Sequence, residues 1–215
     1  MSEKTNRPPL KWLLISSLGI VLVGLVPMVW YTSLPDDFHV GRKLQARGFE
    51  VDYDIFWRHP VCICGNGLNI TVEDCRLISQ LPHLESLTFA YGDVSELNFD
   101  EIGNCQKLEQ VGFSNVTQFS INEFRKLTIC PIDWVFFYNV DLTDSDLEVL
   151  TELKAEFNYI GLGDIPGITD AGLEHLEKIP HLYNLDITNT SVTEEGLEEF
   201  RKKRPDVNII QLKIL

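Results

Sequence analysis

The stretch His59-Pro60-Val61-Cys62-Ile63-Cys64, with Cys75 further along, gathers one imidazole and three thiols. Imidazole and thiolate are the ligands zinc prefers, and paired thiols form disulfides. Three chemistries are therefore open here: a metal site, a disulfide, or free thiols. The spacing H-x2-C-x-C-x10-C is not one of the common zinc patterns, and Cys75 falls where a helix would present a buried residue. Cys105 and Cys130 complete a set of five, an odd number that leaves at least one thiol unpaired within the chain. If the chain coils with a matching period, these two stand in successive coils near the Cα separation a bridge needs, so a disulfide or two free thiols remain open.

Catalytic chemistry has less to stand on. The phosphate-loop, dinucleotide, zinc-protease and nucleophile-elbow motifs are all missing from the sequence. His39, His83, His175 and His181 are scattered, and none has a Ser or Cys at a triad-like spacing. Several carboxylates, such as Asp144 and Asp170, follow a Thr that opens a helix, where capping explains them. The expectation is a non-enzymatic protein with no cofactor and no metal.

The elements that would position these groups begin with an apolar run. Within 215 residues, Trp12 to Trp30 carries no charge and is long enough to cross a bilayer core of about 30 Å as a helix. Lys4, Arg7 and Lys11 precede it, and Asp36 and Asp37 follow. The positive-inside rule then makes 1–11 a cytoplasmic tail, 12–31 a transmembrane signal anchor, and everything beyond extracytoplasmic. A cleaved secretory signal is the rival, although no A-x-A-like site follows the run; a buried core helix is the third reading. Export would place all five cysteines where oxidation is possible. Sequons at Asn69, Asn115 and Asn189 would accept glycans only in a eukaryotic secretory route. The net charge of −14 argues against nucleic acid as a partner, since binding phosphates needs a basic surface. It fits a self-repelling soluble surface or a basic partner.

After the anchor the chain repeats itself. Leu84, Leu108, Ile132, Phe157, Leu182 and Val207 stand 24 or 25 residues apart, and each opens an L-x-x-L-x-L pattern. Its later positions run through Leu87 and Phe89, Val111 and Phe113, Val135 and Phe137, Ile160 and Leu162, Leu185 and Ile187, then Ile210 and Leu212. The second half of each unit repeats too, as in "ITDAGLEHLEKIP" and "VTEEGLEEFRKKRP". Thr71, Thr143, Thr169 and Thr193 occupy helix N-cap positions, with Ser95 and Ser120 as looser candidates. Each unit reads as strand, turn and short helix, and none can bury its apolar face alone.

On these residues the chain resembles the leucine-rich repeat family, and more narrowly a bacterial exported or membrane-anchored type with T-D-x-G-L repeats. The resemblance covers about Leu68 to Leu215. It implies an α/β right-handed solenoid with a parallel sheet on the concave face and short helices on the convex face. Ahead of it, 36–66 reads as an N-terminal helix-strand cap with a Gly48 stop and alternating Phe49, Val51 and Tyr53, leaving 67–215 as the repeat domain.

In such a solenoid the residues between the aliphatic rungs face outward in columns about 4.8 Å apart. In "IDWVFFYNV" these are Trp134, Phe136 and Tyr138, neighboured by Tyr159 on one side and bordered by Tyr183, Asp186 and Glu109. Gly112 and Gly161 share the column of Phe136. Three readings stand: a protein or polymer ligand held on this face, shared packing of the rings with no partner, or a homodimer that buries them.

Overall fold

The repeat becomes a ladder of strands. The computed structural model describes residues 34–103, 105–127, 129–153 and 155–211. The expected membrane span over 12–31 lies outside the described residues, and no helix within them is long and apolar enough to cross a membrane. Helix α1 (Asp36–Ala46) leads to strand β1 (Glu50–Tyr53), which pairs antiparallel with β2 (Pro60–Asn66). From β2 onward the strands are parallel and in sequence order: β3 (Ser86–Ala90), β4 (Gln110–Ser114), β5 (Trp134–Tyr138), β6 (Tyr159–Gly163), β7 (Asn184–Asp186) and β8 (Asn208–Ile210). The connecting segments carry α2 (Val72–Ile78), α3 (Phe99–Ile102), a 3-10 helix (Ile121–Lys126), a 3-10 turn (Asp144–Leu147) running into α4 (Glu148–Glu152), α5 (Asp170–Leu176) and α6 (Glu194–Lys203). This is an α/β architecture that adds one parallel strand per coil, with a short helical segment in each connection.

Alternation within each strand decides which face is buried. Ile63, Leu87, Val111, Val135, Ile160 and Leu185 are paired rung to rung and fully buried. They pack with the apolar stripes of the helices, such as Leu173 with Leu176 and Leu197 with Phe200, in one continuous core. A second row, Phe89, Phe113 and Phe137, runs parallel to the first. Neighbouring rings are stacked at 5.6 and 6.1 Å between centroids, and Phe99 and Phe124 close in from the helical side.

The last rung departs from the expected Val207, Ile210 and Leu212. Leu185 pairs with Ile209 and Asp186 with Ile210, so the spacing here is one residue shorter. A one-residue slip in a strand exchanges its faces. Ile209 therefore packs on the core and Ile210 shares the outward column of Asp186. Val207 is buried just before the strand, and Leu212 lies outside the described residues. The cap expected at Ser95 is also corrected: Asn98 opens α3 and accepts the amide of Asp100 at 2.9 Å. Ser120 precedes the 3-10 helix but makes no side-chain cap bond.

Thr71, Thr143, Thr169 and Thr193 do stand at N-caps, and the structure shows what the following acid does. Asp144 accepts from the amide and hydroxyl of Thr169 one coil later, at 2.8 and 2.7 Å. Asp170 binds Thr193 in the same way. Gly172 and Gly196 clear the path, because a Cβ at either would crowd the carboxylate reaching over from the previous coil. In these coils the Thr that caps one helix is thus also bonded to the acid of the coil before it, over a Gly that leaves room for the carboxylate.

At the other end Arg47, just after α1, holds the first coil. It pairs with the buried Asp74 and donates to Thr71 Oγ1 at 3.0 Å. Burial pushes the Asp74 carboxyl up, but the Arg47 guanidinium and the bonds from Thr71 outweigh it and hold the group below its usual range. A depressed folded pKa stabilises above the unfolded value of about 3.9 and loses that contribution as pH falls through the folded value. Arg47→Ala is expected to cost about 1–2 kcal/mol at pH 7, the low end for an ion pair whose arginine is partly in solvent. The cost should shrink as pH falls below about 3.9, because protonation of Asp74 removes the contribution from wild type and the variant never had it. Urea unfolding across pH 2–8 measures both, and coincident curves would refute the contribution.

Candidate functional site

The alternation that buries the aliphatic rungs puts three columns on the opposite face of the sheet. Gln110, Trp134, Tyr159 and Asn184 form the first, Gly112, Phe136, Gly161 and Asp186 the second, and Ser114, Tyr138 and Gly163 the third. The expected neighbours therefore fall in register. Trp134 and Tyr159 are stacked, with centroids 4.1 Å apart and planes at 16°. The Tyr159 hydroxyl reaches Asp186 Oδ2 at 3.4 Å, and burial together with that negative charge raises its pKa.

Glycines determine where the other two rings go. A Cβ at Gly112 would overlap the Phe136 ring, and one at Gly163 would overlap the Tyr138 ring. Each aromatic lies across the bare backbone of a neighbouring strand, Phe136 toward β4 and Tyr138 toward β6. Tyr138 also donates its hydroxyl to Asp164, which raises the phenol pKa and lowers that of the carboxyl. Shared packing thus accounts for Phe136, which is only partly exposed. It does not hide the rest: Trp134 is 37% exposed, Tyr138 39% and Tyr183 55%.

Asp186, Glu109 and Tyr183 are placed differently from one another. Asp186 is on the face but spends Oδ1 on the amide and hydroxyl of Thr188, at 2.9 and 2.6 Å. Glu109 and Tyr183 each stand one residue before a strand, β4 and β7, and so border the columns rather than join them. Beyond the C-terminal ends of β4 to β6 runs an open groove of about 770 Å³, lined by loop residues that include Phe119, Asn139, Asp141 and Asp164. Asp164 links it to the face through Tyr138.

The groups with metal or redox chemistry separate. Cys62 and Cys64 lie on the outward face of β2, whereas Cys75 is buried in the core from α2. The metal set considered for His59, Cys62, Cys64 and Cys75 therefore falls on opposite sides of the sheet. All five cysteines are free thiols. Cys105 and Cys130 do occupy equivalent places, but each thiol points to a carbonyl of the preceding coil, Ile78 and Gly103, both at 3.7 Å. Burial pushes these thiols up to about 12 and about 11, so both stay protonated and unreactive at neutral pH.

Folding assembles one cluster that residue spacing did not show. Asp37, His59 and His83 bring ligand atoms within 4.8 Å of one another. Asp37 is bonded to His59 Nδ1 at 2.7 Å, and the two imidazoles overlap at 3.9 Å. Those donors would suit a cation, but Lys107 Nζ occupies His83 Nδ1 at 3.1 Å, and an ammonium there opposes one. The cluster reads as a polar clasp between α1 and the turn ahead of β2.

No protein-family model matches the chain, and no curated protein matches it. Among solved structures it is similar to an internalin of Listeria monocytogenes, at 19% identity over 67% of this chain and 38% of that one, with a TM-score of 0.46. It is also similar to a leucine-rich repeat protein of Leptospira interrogans, at 16% identity over 62% of this chain and 38% of that one, TM-score 0.40. Internalin C2 of Listeria monocytogenes matches at 13% identity over 71% of this chain and 80% of that one, TM-score 0.37. The chain thus spans little more than a third of the length of the first two.

Proposed function

We propose that this is a non-enzymatic binding module, anchored through residues 12–31, that presents the outward, concave sheet face to a protein or polymer partner outside the cytoplasm. The observation that carries the reading is the Trp134–Tyr159 stack, partly exposed at mid-ladder beside Asp186. Rigid aromatic area held in place before binding loses little entropy on association. Large exposed aromatics on a pre-ordered face are the residues that dominate recognition energies. Phe136, Tyr138 and Tyr183 extend the apolar surface, and Glu109 and Asp186 give it an acidic border. The partner that fits offers apolar or planar groups next to basic ones.

The test is to isolate what the full chain retains from envelope extracts and measure its affinity for wild type and for Tyr159→Ala. A loss of about tenfold or more is expected, since the variant removes half of the stack and the hydroxyl facing Asp186. Sedimentation of the same proteins examines self-association: a concentration-dependent dimer in wild type that is lost in Tyr159→Ala would replace an external partner with a second copy. Equal affinity in both proteins would remove this face from the function.

A further inference from the structure

The most exposed apolar residues of the described chain are not on the sheet face. The turn between β1 and β2 carries Ile55, Phe56 and Trp57 at 85%, 87% and 73% exposure, followed by the exposed Arg58. Three consecutive large apolar side chains in water are costly, and neither the core nor the aromatic columns use them. The turn is nevertheless well built. Asp54 Oδ1 accepts from the amides of Phe56 and Trp57 at 3.0 and 2.6 Å, and Oδ2 from that of His59 at 2.8 Å. The amide of Asp54 donates to the His59 carbonyl at 2.9 Å, closing the loop, and Arg58 turns it in the left-handed region at φ 61°. The Asp54 carboxyl, held by the Trp57 amide first, sits below its usual pKa and keeps accepting these bonds at neutral pH.

The place of the turn in the chain indicates what covers it. Asp37 is bonded to His59 at 2.7 Å, which ties the first turn of α1 to the base of the loop. Only Thr32 to Pro35 separate Tyr31, the end of the apolar run, from Asp36. A backbone that short reaches no more than about 18 Å. If 12–31 crosses a bilayer, α1 begins within that distance of the membrane surface, and the loop is tied to α1. The chain carries a net charge of −14, which works against electrostatic attraction to an anionic lipid surface, so attraction at this tip has to come from apolar insertion. Trp and Phe are the side chains that favour the headgroup boundary, and an adjacent Arg suits lipid phosphate.

We propose that the Ile55–Arg58 tip is a lipid-interface anchor. Ile55, Phe56 and Trp57 enter the headgroup region of the bilayer crossed by 12–31, and Arg58 meets its phosphates. This rests on the anchoring reading above. The test uses the full chain in vesicles of phosphatidylcholine and phosphatidylglycerol, with Trp12, Trp30 and Trp134 changed to Phe so that Trp57 alone reports. The difference in emission between wild type and Trp57→Phe gives the same readout without the triple change. The expected result is a blue-shifted Trp57 emission, quenched by lipids brominated near the headgroup and less by lipids brominated deep in the chains. Flotation of the vesicles separates the two proposals. Chain that floats with the vesicles while Trp57 keeps an aqueous, unquenched emission overturns the tip and leaves the anchor standing. Chain that does not float overturns both. Trp57 shielded only as protein concentration rises in detergent assigns the tip to a second copy and also overturns the proposal.

Discussion

Phe113→Ala is expected to lower the unfolding free energy by about 3–5 kcal/mol, the largest loss from any single ring in this fold. Phe113 is fully buried between Phe89 and Phe137 in the stacked row and touches Phe119, Phe124 and Phe99, with the Phe119 centroid only 4.4 Å away. Removing the ring leaves a cavity that cannot collapse, because the backbone ladder fixes β3, β4 and β5 at strand spacing. Native domains hold only about 5–15 kcal/mol in reserve, so a large share would be gone. The position matters as much as the volume. Each coil touches only its neighbours, so a gap at mid-ladder weakens the coupling between the two ends. Urea unfolding should therefore show a lower midpoint and a shallower slope, as the ends begin to melt separately. Phe119→Ala, at the partly exposed margin of the same cluster, serves as comparison and should cost less. A loss for Phe113→Ala below about 1 kcal/mol would mean that the row does not bear on stability as its packing indicates.

The same row shows why most of the fold was legible in the sequence. Aliphatic and phenylalanine residues recur at a fixed period, and such side chains have one place to go in a stacked coil. The rung of β2 is hidden in the sequence because it is spelled Pro60, Ile63 and Gly65. Proline and glycine disguise the pattern, although the 24-residue offset from Leu84, Leu87 and Phe89 is intact. Gly65 is small for a reason: a Cβ there would press on the rings of Phe49 and Phe89. At β8, Val207, Ile209 and Ile210 offered two apolar registers, and only pairing with β7 chooses between them. Of the candidate site, the columns followed from alternation alone. The directions of Phe136 and Tyr138 did not, since those depend on which neighbouring strand offers a glycine to lie across. The Asp37–His59–His83 clasp and the groove over the loops join distant segments and left no local signal. Ile55 to Trp57 have no periodicity, and only exposure distinguishes them from core.

Trp134→Ala is expected to weaken partner binding by about thirtyfold or more, which corresponds to about 2 kcal/mol, while changing domain stability by less than about 1 kcal/mol. The asymmetry follows from where the ring lies. Trp134 is partly solvent-exposed and packs on Tyr159 rather than in the core, so the folded state loses one face of contact and opens no cavity. A partner covering the stack would lose its largest apolar contact and a surface fixed before encounter. Trp134 and Tyr159 act as a unit, so the double alanine variant should lose less than the sum of the two single losses, with a coupling of about 0.5–1.5 kcal/mol. Trp134→Phe keeps a ring over Tyr159 and should retain most of the affinity. Additive losses would mean that the two rings contact the partner separately. Unchanged affinity in Trp134→Ala would mean that the rings serve only to cover the glycine-bared backbone of the sheet, as Phe136 does over Gly112.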